Sequence, residues 1–255
     1  MIETASIKKL VLRASISYSM PSIPERTPGE AKDMAEIFNK WSEKHDQWFE
    51  TPIGRLIKGY EIELILRMLK PSRAETILDA GCGTGVFTTH IYETGARVIG
   101  LELSRPMLVR ATNKIMPFLS VQGDIRKLPF ADDSFDKAVS ITALEFIEEA
   151  KIAVKEMFRV TKPGGIIVVA TLNSLSPWAD RREEKGKKGH PIFKHTVFRS
   201  PEEMARLSPL QGMIQTAIHF KKDDSLERAP EIEMKGRKKA LNTGAFLAAR
   251  WIKPE

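Results

Sequence analysis

One cysteine in 255 residues, Cys82, excludes an intramolecular disulfide and any metal site built from a cysteine cluster. No metal is expected. Long apolar runs are missing too. The strongest, Gly165 to Thr171, is far shorter than the roughly 20 residues a bilayer span requires, so no transmembrane helix is expected. The N-terminus, MIETASIKKLVLRASISYSM, interrupts its apolar residues with Lys8, Lys9 and Arg13. It therefore lacks the continuous apolar stretch of a signal peptide, and a cytoplasmic protein is expected. Apolar residues make up 42%, charged residues 29% and aromatics 7%, which excludes fibrous, low-complexity and disordered classes. At about 150 residues per domain, the length suits one large domain or one domain with a modest addition.

The net charge of +7 is unevenly placed. Residues 1–180 hold 23 Lys/Arg against 23 Asp/Glu, leaving 17 against 10 for residues 181–255. The excess concentrates in Arg181-Arg182-Glu183-Glu184-Lys185-Gly186-Lys187-Lys188 and in Lys235-Gly236-Arg237-Lys238-Lys239. These clusters read as solvated segments, with binding of phosphates or an anionic surface as the alternative.

Along residues 30–49, Met34, Ile37, Phe38, Trp41, His45 and Trp48 recur three or four apart, the stripe of an amphipathic helix. A second helix is expected from Pro52 to Leu69, with Ile53, Leu56, Ile57, Tyr60, Leu64 and Met68 on its apolar face and Pro71 beyond its end. Short apolar runs then alternate with helical patterns. Thr76 to Asp79, Arg97 to Leu103, Phe118 to Gln122, Lys137 to Thr142 and Ile166 to Leu172 read as strands. Val86 to Thr94, Arg105 to Met116 and Glu145 to Val160 read as helices. Such alternation means parallel strands joined by crossover helices. Asn173 to His195 lacks sustained periodicity and reads as an insertion. A short helix at Pro201 to Leu207 is followed by apolar runs at Met213 to Phe220 and Gly244 to Ile252. The charged segment between those runs shows no strong helix, so they are expected to pair antiparallel.

The most informative stretch is Ile77-Leu78-Asp79-Ala80-Gly81-Cys82-Gly83-Thr84-Gly85-Val86-Phe87. A strand ends in an acid, turns through alternating glycines and enters a helix. Glycines let the backbone bend tightly and approach a ligand, and the helix N-terminus offers free amides. A nucleotide-like ligand is implied. Dinucleotide binding favours G-x-G-x-x-G, but Val86 stands at the last position, and Asp79 would repel a pyrophosphate. An acid at that point suits a cationic ligand. Glu102, closing the second strand, can accept both hydrogens of a ribose diol in either ligand class.

With these motifs the chain resembles the class I S-adenosylmethionine-dependent methyltransferases, in the group that includes quinone-biosynthesis and other small-molecule enzymes. The resemblance covers roughly residues 45–172. It is carried by Asp79 to Gly85, by Glu102, by Gln122-Gly123-Asp124-Ile125 with Leu128-Pro129-Phe130, by Asp133-Ser134-Phe135-Asp136 and by Arg159 to Gly165. It implies S-adenosyl-L-methionine as cofactor. Asp79, Gly81, Gly83 and Gly85 would wrap its methionine part, Glu102 would hold its ribose, and Asp124 would meet the adenine amino group between Leu103 and Ile125. Thr142, ending strand four, completes the expected cofactor set. It also implies a Rossmann-like α/β fold: a seven-stranded, mostly parallel sheet with helices on both faces and an antiparallel last strand. Residues 1–70 would form a helical cap or lid. The methyltransferase domain would span 71–255, with an insertion at about 173–200.

Trp48 and Phe49 are similar to a segment that folds over the cofactor in several relatives; helix core is the other reading. The histidine pair that many relatives carry after strand four is replaced by Ala143-Leu144-Glu145-Phe146, so no catalytic base is assigned. Cys82 reads as a small buried residue and His90 as a surface histidine. His45, His190, His195 and His219 remain acid/base candidates, and Tyr18 and Trp178 either line a pocket or fill gaps. Methyl transfer from a sulfonium needs mainly alignment of the reactants, so a base is optional. The expected acceptor is a small organic molecule. The N/D-P-P-Y/F/W sequence of nucleic-acid amine methylation is missing after strand four, and nucleic acid is not the expected partner. The alternatives are an RNA methyltransferase using the basic C-terminal third, a cofactor-binding module without catalysis and, disfavoured by Asp79 and Val86, an NAD-dependent oxidoreductase.

Overall fold

The computed structural model describes residues 37, 38, 42–44 and 46–255. Met34, Trp41 and His45 of the first helical stripe, and Tyr18, lie outside the described residues. Residues 46–49 are helical and lead into α1, Pro52–Leu69. Thr51 caps α1 by accepting from the Gly54 amide at 3.1 Å, and Pro52 fits the first turn, where no amide partner is needed. Gly54 is required there, because a Cβ would stand 2.1 Å from the Trp48 carbonyl oxygen.

The elements that follow are β1 (Thr76–Ala80), α2 (Thr88–Glu93), β2 (Arg97–Glu102), α3 (Arg105–Lys114), β3 (Leu119–Gln122), β4 (Phe135–Ile141) and α4 (Ala150–Val160). After them come β5 (Thr161–Leu172), α5 (Pro177–Lys187), α6 (Pro201–Ala205), β6 (Met213–Ala217), α7 (Ala229–Lys238) and β7 (Phe246–Ile252). The seven strands lie in the order β3-β2-β1-β4-β5-β7-β6. β1 to β5 pair in parallel, while β7 runs antiparallel to both β5 and β6. One face carries Ile57, Leu64, Ile65 and Met68 of α1 against Ile77, Val139 and Val168. The other carries Ala153, Val154 and Met157 of α4 against Leu78, Ala138 and Val169. Burial on both faces explains why these strands read as continuous apolar runs, each large side chain contributing about 1.5–3 kcal/mol.

The structure departs from the sequence expectation at four places. The stretch expected as a helix from Glu145 splits into a single 3-10 turn, Leu144–Phe146, and α4 from Ala150. Arg199 braces the break: its guanidinium donates to the carbonyl of Leu144 at 2.8 Å, which also accepts from the Ile147 amide to close the 3-10 turn, and to that of Ile147 at 2.9 Å. β5 begins five residues early, at Thr161, because Gly164 and Gly165 exchange backbone hydrogen bonds with Lys253. The insertion contains a helix, α5, capped by Ser176 with Pro177 behind it. Trp178 and Ala179 alone are buried on α5, so its periodicity is faint. The charged segment before β7 contains α7, whose buried positions are Ala229, Glu233 and Gly236. A glutamate and a glycine on the inner face hide the apolar stripe that marks a helix. No helix among the described residues is long and apolar enough to cross a membrane.

Candidate functional site

A cavity of about 550 Å³ opens beyond the carboxyl ends of β1, β2 and β4, where open α/β sheets bind their ligands. Its outer part is built on the glycine turn. Gly81 and Gly83 line it with φ of 84° and 54°, left-handed backbone that glycine adopts without strain. A Cβ on Gly81 would meet the Ala143 methyl at 2.6 Å, whereas one on Gly83 would enter open space. Glu102 ties the second strand to this turn, its carboxylate accepting from the Gly83 amide at 3.0 Å and the Ser104 amide at 2.7 Å. Burial pushes its carboxyl up, and those amide bonds pull the other way.

Leu103, Asp124, Ile125 and Thr142 also line the cavity, so the structure brings together seven of the nine residues expected at the cofactor. Both oxygens of Asp124 accept from Arg126, whose guanidinium continues to Glu149 at 2.8 Å. Thr142 is held at φ 48°, a strained value for a β-branched residue. Asp79 and Gly85 are absent from the lining. Asp79 is 1% exposed and accepts from the Thr88 hydroxyl at 2.6 Å, while its Oδ1 has no partner among the described residues. Burial, with Glu102 nearby, pushes its carboxyl up to about 7. Gly85 turns toward α3, where a Cβ would stand 3.1 Å from Ala111. Cys82 lines the cavity, but burial raises its thiol well above the ordinary value, so it is no nucleophile.

Aromatic side chains close the sides. Trp48, Phe49 and Phe87 stack edge to face at 4.9 and 5.6 Å, and Phe38 meets Phe146 at 4.9 Å. Trp178 lines the far wall, its indole N–H donating to the Phe220 carbonyl at 2.8 Å. Trp48, Phe49 and Trp178 thus stand in the wall as well as in the packing. Of the histidines, His190 reaches the cavity, stacked on Phe193 at 4.4 Å, with its pKa lowered by burial. His90 pairs with Glu93 at 3.0 Å on α2, and His195 is exposed. His219 lies against Gly236, where a Cβ would strike its ring at 2.2 Å. None of these three lines the cavity.

Sequence reasoning missed the inner wall. Glu61 on α1, Glu145 after β4 and Arg182 on α5 line it together. Burial pushes Glu61 up to about 8 and Glu145 up to about 7, Arg182 opposing both shifts. Glu145 accepts from the Thr171 hydroxyl at 3.1 Å. The signal for Glu61 was present: it lies four residues after Ile57 and three before Leu64, an acid within an apolar helix stripe. The basic cluster expected in solvent divides, Arg181, Arg182 and Lys185 lining the cavity while Lys187 and Lys188 face water.

Residues 78–169 match the model of a methyltransferase domain family. A malonyl-[acyl-carrier protein] O-methyltransferase of Pectobacterium atrosepticum is 36% identical over 179 residues, 62% of this chain and 71% of that protein. The chain belongs to the class I S-adenosylmethionine-dependent methyltransferases. The enzyme of the same name from Erwinia pyrifoliae is 41% identical over 114 residues, 45% of this methyltransferase and 44% of its own length. Among solved structures, a SAM-dependent methyltransferase from Thermotoga maritima shares the fold, with TM-score 0.66 and 22% identity over 87% of this chain and all of that one. S-adenosylmethionine is the cofactor of this methyltransferase.

Proposed function

We propose that this methyltransferase transfers a methyl group from S-adenosylmethionine to a small-molecule acceptor held in the inner half of the cavity. The observation that carries this reading is the continuity of one cavity from the glycine turn, through Thr142, to Trp178 and Arg182. Its volume lies within the range of small-molecule sites. The residues fit the cofactor. Asp79 and Glu102 are buried carboxylates, each raised by burial, with Glu102 raising Asp79 further, and a cation beside them favours their charged forms. Above them Gly83 leaves the space that any side chain would take.

In this reading Gly81 and Gly83 offer backbone to the methionine part, with Asp79 one layer below and Gly85 fixing the turn against α3. Glu102 keeps lone pairs for the ribose diol. Asp124, Leu103 and Ile125 flank the adenine, and Thr142 forms the wall beside the reacting centre. When bound, the cofactor supplies a methyl group on an activated sulfonium. The chain's own contribution is alignment and exclusion of water, since holding two reactants near ~3 Å in line supplies much of the rate. The segment before residue 70 acts as a cap, supported by Trp48 and Phe49 standing over the turn. The curated relatives are named for a carrier-linked malonyl acceptor; the acceptor here is a small organic molecule, free or carrier-linked.

Calorimetry tests the cofactor and transfer of label from methyl-labelled S-adenosylmethionine to a panel of small organic acceptors tests the activity. Micromolar binding of S-adenosylmethionine and its demethylated product is expected. Tight NADH binding with no response to S-adenosylmethionine overturns the reading.

A further inference from the structure

The inner wall leaves two groups unsatisfied. Glu61 is 5% exposed, and its Oε2 has no hydrogen-bond partner among the described residues. Arg182 on α5 leaves its Nη1 buried and without a partner among the described residues, with its guanidinium over the Trp178 ring at 5.6 Å. Buried polar atoms without partners are costly, more so when charged, and a fold retains them where something else satisfies them. The two side chains are near enough to influence each other's charge, yet these atoms do not meet. A group with two acceptor oxygens would satisfy both a guanidinium and a protonated carboxyl.

The surrounding charge selects among such groups. Lys44, Arg181, Lys185 and Lys222 line the cavity together with Arg182, Arg181 being paired with Asp223 at 2.7 Å, and Glu61 and Glu145 are the acids that act on Arg182. Burial pushes Glu61 up to about 8, so it is mostly protonated near pH 7, and Glu145 up to about 7, so it is half ionised there. The wall is therefore net positive, and Glu61 carries a proton it can donate. An amine would meet repulsion here, and a neutral hydroxyl would leave the excess charge unanswered.

We infer that the acceptor is an organic acid whose carboxylate is anchored between Arg182 and Glu61, with its apolar body against Trp178 and Phe146. One oxygen accepts from the guanidinium and the other from the Glu61 carboxyl. The anchor defines the class of acceptor, not the atom that receives the methyl group. This inference rests on the inner half of the cavity being the acceptor side.

The test uses the full chain and three probes of equal length: hexanoate, hexan-1-ol and hexylamine. Each is titrated by ligand-observed NMR, with and without saturating S-adenosylhomocysteine. Hexanoate is expected to bind at least tenfold more tightly than hexan-1-ol, with hexylamine undetected. Arg182→Gln should weaken hexanoate at least tenfold and leave S-adenosylhomocysteine affinity within twofold. Arg182→Lys, which keeps the charge without the planar fork, should recover part of the loss. Glu61→Gln keeps a donor and should stay within threefold, while Glu61→Leu should not. Preference for hexylamine or hexan-1-ol, or hexanoate binding indifferent to both Arg182 variants, overturns the inference. Failure of S-adenosylhomocysteine to bind the wild type would instead overturn the methyltransferase reading, and the titration without it still reads the anchor.

Discussion

The Thr84 hydroxyl in the glycine turn donates to the Asp46 carboxylate at 2.5 Å, across 38 residues of chain. Lys114 of α3 donates to the other oxygen of Asp46 at 2.7 Å, and Arg110 stands 3.7 Å away. The segment carrying Trp48 and Phe49 is thereby pinned over the turn. Pairs this exposed are worth at most about 1 kcal/mol each, and charge-assisted bonds in less exposed places about 1.5–3 kcal/mol. Asp46→Ala should accordingly speed dissociation of S-adenosylhomocysteine roughly three- to tenfold in stopped-flow measurements. An unchanged rate would mean that residues 46–49 do not cover the cofactor.

Gly81 and Gly83 should fail in different ways. Gly81→Ala forces a methyl to 2.6 Å from Ala143 at a φ of 84°, so overpacking and left-handed strain together should cost about 2–4 kcal/mol of stability. Gly83→Val adds left-handed strain at φ 54°, but its Cβ meets no neighbour, so beyond that strain its effect should fall on the ligand: S-adenosylmethionine affinity reduced at least ~100-fold. Thermal unfolding alongside calorimetry separates the two, and wild-type affinity in Gly83→Val would sink the cradle.

Stability should depend on pH through Glu61. Burial pushes its folded carboxyl from the ordinary 4.5 up to about 8, so the folded state binds the proton more tightly than the unfolded state does. The linked stabilisation is present below about pH 4.5 and is lost as pH rises toward 8. Glutamine mimics the protonated form. Glu61→Gln should therefore match the wild type in Tm near pH 5 and exceed it by about 3 °C or more near pH 8.5. A difference that is constant with pH would show that Glu61 is ionised in the folded protein.

The outward lysines should be dispensable. Lys188 pairs with Glu184 at 2.5 Å on the surface of α5, and Lys187, Lys238 and Lys239 do not line the cavity. Replacing Lys187, Lys188, Lys238 and Lys239 with Ser should leave methyl transfer nearly unchanged. RNA binding should be weak and vanish at physiological salt, because tight phosphate contacts would each add a slope of about −0.7 to −0.9 in log affinity against log salt. Sub-micromolar RNA affinity at physiological salt, lost in this variant, would move the assignment to an RNA methyltransferase.

What the amino-acid order determined by itself is whatever depends on neighbours in the chain. Strands buried on both faces read as apolar runs, as Val98 to Leu101 and Ile166 to Ala170 do. The glycine turn was legible because its residue types answer a local need for left-handed backbone beside a ligand. Helices α5 and α7 were not, since their inner faces rest on Trp178 and Ala179, or on Ala229, Glu233 and Gly236, too little apolar surface to set a period. Tertiary structure alone decided that Asp79 sits below the turn, with Thr88 over it, and that Arg199 bonds the carbonyls of Leu144 and Ile147 where the helix after β4 is interrupted. It alone assembled Glu61, Glu145 and Arg182. These come from three elements far apart in sequence, and each is unremarkable until packing removes water and leaves their charges to be satisfied by one another and by a ligand.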